Sequence, residues 1–310
     1  PAGMPGFSLK NKAKVTSHEV AALAGVSRSA VSRTYTSGAS VSARTREKVV
    51  AAATKLGYRP NALARSLIVR RTQLIGLVMA EWENPFYTRM LRLFSERVQA
   101  EGYQLLLQTS GSEADADDAI RRLLQYQVDG VIVVSARPSA VAAAECLRSG
   151  TPLVLLNREI AAAHASSVTC DNRQIGRDIV APALKAGYKR LALVRGDPTA
   201  ITSEERTKAI RRAVAAAKAA RIVAEIDDCF GYDPGRRLMT ALWKSNPRPD
   251  VVICSSDLTA LGVLDGARSD LGIDVPGKLG VVGLGDIPQA SWSAYRLTTV
   301  HLPIEEMIDL

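Results

Sequence analysis

The chain has 310 residues, 47% hydrophobic and 23% charged, which suits two or three globular domains and excludes a disordered chain. No apolar run approaches the ~20 residues a membrane helix needs, so no membrane partner is expected. The net charge of +9 is uneven, since residues 1–73 carry 13 Lys+Arg against 2 Asp+Glu and the remainder carries 27 against 29. Positive charge confined to the first quarter marks a module that meets phosphate. Only Lys10, Lys12 and Lys14 lie in a tail; the other basic residues of that quarter sit in a patterned segment. No charged-then-apolar leader opens the sequence, so a cytoplasmic location is expected. Cys146, Cys170, Cys229 and Cys254 form no CxxC pair and have no His at metal-ligand spacing. Free thiols of a reducing compartment are expected, with no metal and no cofactor.

Thr16-Ser17-His18-Glu19 reads as a capping box. It opens a helix whose Val20, Ala21, Leu23 and Ala24 form one apolar stripe. Gly25 stops that helix, and Val26 is expected as a buried plug in the turn. Ser27 caps a second helix, Arg28 to Arg33, with Ala30 and Val31 facing inward and Arg28, Ser29, Ser32 and Arg33 outward. A third helix is expected from about Ser42, with Val49, Ala52, Ala53 and Leu56 inside, closing at Gly57. Two short helices joined by a tight glycine turn and backed by a third make an all-α helix-turn-helix domain, which places the second helix in the major groove. The planar fork of Arg28 suits the O6/N7 edge of guanine. Arg33 suits either a base or a phosphate, and Ser29 and Ser32 can make single hydrogen bonds. Ser17, His18, Thr36, Ser42 and Thr45 complete the candidate DNA-contacting set here, His18 toward phosphate.

The residues Val20-Ala21, Ala24-Gly25-Val26-Ser27, Val31-Ser32-Arg33, Thr45-Arg46-Glu47-Lys48-Val49 and Leu56-Gly57-Tyr58-Arg59-Pro60-Asn61 resemble the LacI/GalR family of repressors, without a gap from Val15 to Asn61. Pro60 breaks the third helix, and Asn61 is a good N-cap for a new one, too short to be stable alone. The resemblance implies a paired hinge helix that folds on DNA. Asn61, Ala64, Arg65 and Leu67 would make its contacts, with Leu67 wedging a minor-groove base step. The alternative is that Leu67 packs in the following domain.

From Leu74 onward apolar runs alternate with helical segments. Strands are expected at Leu74–Met79, Gln104–Gln108, Asp129–Val134, Pro152–Leu156, Leu191–Val194, Val251–Cys254 and Gly280–Gly283, with helices at Leu91–Gln99 and Ala119–Tyr126. Such alternation gives parallel sheets covered by helices. Two such runs suggest two Rossmann-like lobes with a ligand cleft at the strand ends. Asn84-Pro85-Phe86, Asp171-Asn172, Ser256-Asp257 and Leu297-Thr298-Thr299-Val300 resemble further landmarks of the same family, which implies a two-lobed α/β sensor domain like the periplasmic binding proteins. The expected organisation is residues 15–60 helix-turn-helix, 61–72 hinge helix and linker, and 73–310 effector-binding and dimerisation domain. Its first lobe would hold about 73–165 and 293–310, its second about 166–292.

Arg206 would grip hydroxyls or a carboxylate of the effector, the alternative being an exposed helix charge. Phe86 and Tyr87 sit where relatives pack rings over a ligand, against the alternative of ordinary core. Asn172 matches a hydroxyl-binding position, while Asp171 caps a helix. Asp257 fits an N-cap better than a ligand contact, and Trp82 and Asp286 complete the set. Ser256 and Gly285 replace longer polar groups common in sugar-binding relatives, which weakens the case for a simple neutral sugar.

The segment Gly272 to Lys278 has GxxxxGK spacing but is followed by Leu279 and a strand, so it reads as a plain loop. No GxSxG or HExxH occurs, and no enzyme is expected. The reading is a homodimeric repressor that binds palindromic operator DNA under control of a small-molecule effector. The rival is an effector-binding protein without a regulatory role on DNA, which the basic reader opposes.

Overall fold

The computed structural model describes residues 15–36, 38–60, 71–80, 83–111, 113–159, 165–198 and 200–310. They form two units, residues 1–72 and 73–310. The expected hinge helix, with Asn61, Ala64, Arg65 and Leu67, lies outside the described residues, as does Trp82.

The first unit is three helices, α1 (Ser17–Ala24), α2 (Arg28–Thr34) and α3 (Ala43–Leu56). Each begins at a hydroxyl that accepts a first-turn N–H: Thr16, Ser27 and Ser42. Gly25 ends α1 at φ 64°, in the left-handed region that a residue with a Cβ enters only at a cost. The core is Val20, Ala21, Ala24, Val31, Val49, Ala52 and Ala53, with Val26, Leu56 and the rings of Tyr35 and Tyr58 half-buried against it. Two sequence expectations need correction. Leu23 is 46% exposed, because an eight-residue helix turns one face inward and Val20, Ala21 and Ala24 occupy it. Val26 is half-buried rather than sealed in.

The second unit holds two five-stranded parallel sheets. The first comprises β1 (Leu74–Met79), β2 (Gln104–Thr109), β3 (Gly130–Val134), β4 (Leu153–Leu156) and β5 (Ser166–Val168), in the order β2-β1-β3-β4-β5. Helices α4 (Pro85–Ala100), α5 (Glu113–Gln125) and α6 (Ala140–Arg148) connect its first four strands. Gly76 lets α5 sit close, since a Cβ there would stand 2.6 Å from Leu123 Cδ1. The second comprises β6 (Arg190–Val194), β7 (Arg221–Ile226), β8 (Val251–Cys254), β9 (Gly280–Leu284) and β10 (Thr298–Val300), ordered β10-β9-β8-β6-β7. Helix α7 (Asn172–Lys185) enters this lobe, and α8 (Ile201–Ala216), α9 (Tyr232–Lys244) and α10 (Asp257–Asp265) cross between its strands. Counted from each lobe's own first strand, both sheets have the same winding, 2-1-3-4-5.

The chain passes between lobes after Val168, close to the expected 165, and again after Val300, later than the expected 292. The short polar strand β5 still pairs with β4, and β10 still pairs with β9. Helix α11 (Ile304–Asp309) then returns to the first lobe. There it meets α4 through Arg89–Glu305 at 2.6 Å and Arg97–Asp309 at 2.8 Å. No helix among the described residues is long and apolar enough to cross a membrane. Cys146, Cys229 and Cys254 are buried free thiols, Cys170 a half-buried one. Residues 272–278 form a loop leading into β9.

Candidate functional site

The reader is positioned by capping and by a clamp from α3. Thr16 N donates to Glu19 Oε2 at 2.7 Å and Glu19 N to Thr16 Oγ1 at 3.4 Å, so both halves of the box close. Donation to its carboxylate from Thr16 N, and from Thr16 Oγ1 at 2.9 Å, holds the Glu19 carboxyl below the ordinary glutamate range. Arg46 Nη1 donates to Thr34 O at 2.9 Å and so ties α3 to the end of α2. Arg28, Ser29, Ser32, Arg33 and His18 are all exposed, as a helix entering a groove requires. Ser29 shares a hydrogen bond with Ser27 at 2.9 Å, and Thr36 Oγ1 donates to Ser32 O at 2.9 Å. Ser42 and Thr45 bond each other at 2.8 Å at the start of α3, where Ser42 also caps. Ser17 is half-buried on α1.

The second site is a cleft between the lobes, about 690 Å³ including its open mouth. Every wall is the carboxyl end of a strand or the helix start that follows it, as parallel sheets dictate. The first lobe contributes Asn84, Phe86 and Tyr87 after β1, and Asn157 and Arg158 after β4. The second contributes Asp197 after β6, Thr202, Ser203 and Arg206 on α8, Phe230 after β7, and Ser255, Ser256 and Asp257 after β8. Phe86 and Tyr87 pack edge to face with centroids 5.1 Å apart.

Four residues expected at the ligand line this cleft: Phe86, Tyr87, Arg206 and Asp257. Arg206 is buried, and Asn172 Oδ1 accepts from its Nη2 at 2.8 Å. Burial pushes the guanidinium down to about 10, still protonated at neutral pH. Asn172 is 2% exposed and does not line the cleft, so in this structure it orients Arg206 rather than facing a ligand. Asp171 caps α7, as expected.

Asp257 is not the N-cap of α10; Ser256 is. The buried Asp257 carboxylate instead accepts from Thr299 Oγ1 at 2.6 Å and Ile287 N at 2.9 Å, which locks the ends of β9 and β10 to α10. Burial nevertheless holds its carboxyl above the ordinary aspartate range. Asp286 is exposed, lies outside the cleft lining and meets His301 Nδ1 at 3.0 Å. The reason is local: at φ 53° the backbone turns at Asp286 just beyond β9.

The sequence reading missed Asn157, Arg158 and Asp197. Their signal was present: each is a polar residue within three positions of an apolar strand's carboxyl end. Among the described residues no group of three or more His, Cys, Asp or Glu could hold a metal.

Known proteins resemble both units. Residues 16–61 match the model of bacterial regulatory proteins of the lacI family, and residues 72–291 match that of periplasmic binding proteins and the sugar binding domain of the LacI family. The chain is 31% identical to the HTH-type transcriptional regulator CelR of Thermobifida fusca, over 96% of this chain and 90% of that relative. It is 29% identical to catabolite control protein A of Priestia megaterium, over 94% and 89%. Among solved structures, a lac repressor dimer bound to operator and an anti-inducer superposes with a TM-score of 0.84 at 22% identity, covering 95% of this chain and 89% of that one. Reader, two-lobed sensor and full-length similarity together place the chain in the LacI family of bacterial regulatory proteins, as a DNA-binding transcriptional regulator with an effector-binding domain.

Proposed function

We propose that this chain is an effector-controlled repressor whose dimer binds a palindromic operator. The carrying observation is the outer edge of α2, where the side chains of Arg28 and Arg33 stand exposed with no ion pair or hydrogen bond among the described residues. An arginine held by nothing in its own domain is free to make a bidentate contact with guanine or a phosphate bond. Ser29 and Ser32 flank it toward the bases, and His18, Ser17, Thr36, Ser42 and Thr45 border the backbone. Asn61, Ala64, Arg65 and Leu67 follow as hinge contacts. A two-fold dimer reads two half-sites and so requires a near-palindrome.

The cleft takes the effector between Phe86, Tyr87, Arg206 and Asp257, with Arg206 oriented by Asn172. CelR has been solved as a complex with cellobiose, at 30% identity and a TM-score of 0.67, which supports a small metabolite in the equivalent cleft. Occupancy changes operator affinity by the coupling free energy, about 1–3 kcal/mol in such systems. The cell compartment follows from the target: a repressor works in the cytoplasm.

Selection from random duplex DNA at two salt concentrations tests this. An enriched palindrome, with affinity falling steeply as salt rises, is expected. Salt-dependent binding with no enriched sequence would sink the repressor reading.

A further inference from the structure

In the second lobe α7 and α8 pack side by side. Gly176 brings them close, since a Cβ there would stand 2.5 Å from Arg206 O and 2.6 Å from Ala209 Cβ. Beside this contact runs an open groove of about 1020 Å³, mouth included. Buried Ala209 and half-buried Ala213 give it a floor of methyl groups. Arg173 and Arg177 line it from α7, and Lys208 and Arg212 from α8, all four exposed. Glu205 is the one acid in the lining among the described residues.

Each pair of cations stands at i,i+4, which stacks like charges one turn apart, a spacing that destabilises a helix. The neighbouring acids offset little of this. Arg173 meets Glu205 at 3.3 Å and Lys208 meets Glu204 at 3.6 Å, but the two basic side chains are 68% and 58% exposed, so solvent screens both pairs. Arg177 donates to the uncharged Gln174, and neither it nor Arg212 meets a carboxylate among the described residues. A helix surface that works against its own stability is expected where an interaction sets the residues.

Shape and charge decide what fits. Residues 74–310 hold 27 Lys+Arg against 29 Asp+Glu, so the sensor as a whole has no positive field to gather a nucleic acid, and the groove is a local feature. It runs along helix flanks, whose N–H groups are spent inside the helices, so a small oxyanion would find only solvated side chains there. A methyl floor between two rows of cations suits an amphipathic helix, which lays apolar side chains on Ala209 and Ala213 and sets carboxylates against both rows.

We infer that the groove between α7 and α8 is a docking surface for an acidic amphipathic helix of another protein. This adds a protein partner to the operator and effector of the reading above, at a place separate from both.

The test is fluorescence anisotropy with a labelled helical peptide of about 15 residues, leucines on one face and glutamates flanking them. It is added to the full chain saturated with duplex DNA, so that the basic reader is occupied. Saturable binding is expected, weakening as salt rises. It should be at least about tenfold tighter than that of the same peptide with glutamine in place of glutamate. The double variant Arg177→Gln, Arg212→Gln should lose at least about tenfold in affinity. It should melt no lower than wild type, because it relieves like-charge repulsion; residues kept for folding alone would lower the melting temperature and leave binding intact. Should the double variant fail to fold, Arg212→Gln alone carries the comparison. The inference is overturned if the glutamine peptide binds as well, if the double variant binds like wild type, or if the DNA-saturated chain takes up no peptide. A changed oligomeric state of the double variant in analytical ultracentrifugation would give the groove to a second copy and overturn it too. Operator selection should return the same palindrome for variant and wild type, so a recovered palindrome without peptide binding refutes the groove alone.

Discussion

Arg137 and Asp197 form an ion pair across the cleft, joining the segment after β3 in one lobe to the segment after β6 in the other. Their side chains are 35% and 26% exposed, so solvent screens the pair and its strength is modest. In a double-mutant cycle of Arg137→Ala and Asp197→Ala, read by denaturant unfolding, the coupling should be about 0.5–1 kcal/mol. It should shrink as salt rises. Strictly additive single effects would show that the lobes are not joined here in solution.

On the reader, Arg28→Ala should lower affinity for the selected operator by about 1–3 kcal/mol and relax the preference at one base position of each half-site. Affinity for random duplex should change little, since that part comes from phosphates. Equal losses on both DNAs, measured by fluorescence anisotropy, would move Arg28 from base reading to backbone contact.

The first helix gives a pH dependence of known sign. Glu19 sits below the ordinary glutamate value of 4.5, through its bonds from Thr16. A depressed acid stabilises the fold fully above its unfolded value and loses that contribution as pH falls through the lower folded value. Glu19→Gln should therefore flatten the acid limb of the reader's stability curve below pH 4.5 while leaving operator contacts in place. Thr16→Ala should cost about 1 kcal/mol at neutral pH through the lost N-cap. Superimposable acid limbs for wild type and Glu19→Gln, followed by circular dichroism, would remove the box from the account.

The thiols offer a check on the core. Burial pushes Cys146 up to about 11 and Cys254 well above its ordinary value. At pH 8 the Cys146 thiolate is then about one part in a thousand. Iodoacetamide should leave both unmodified in the time that labels the denatured chain completely, as peptide mass spectrometry would read. Comparable rates in the folded protein would mean these helices and strands open far more often than their packing implies.

Much of this was legible from residue order. The three reader helices carry their own punctuation in Thr16, Ser27, Ser42, Gly25 and Gly57, and six of the seven expected strands are apolar runs with buried positions in parallel sheets, β2 with its Leu105 to Leu107 being a half-exposed edge. The strands that escaped notice lack that contrast. Ser166-Ser167-Val168 is a strand only because β4 pairs with it, and Arg221 to Ile226 lies half-exposed, paired with β6 at the edge of its sheet. In the cleft, chain order led to Arg206 but could not separate Asp257 from Asp286. That distinction rests on Thr299, 42 positions from Asp257, arriving within hydrogen-bond distance. Arg158 and Asp197 belong to one site because strand ends of two different sheets face the same cleft.

The shared winding of the two sheets also bears on what can act as a signal. On the proposed function each lobe supplies its own half of the grip, with Tyr87 lining the cleft from one side and Arg206 from the other. A molecule that spans both halves binds one relative placement of the lobes better than another, and only such a difference moves a conformational equilibrium. A molecule that contacts a single half has no preference between placements. It would occupy the cleft, exclude the effector and leave operator affinity where it was, so fragments of the effector are expected to behave as silent competitors.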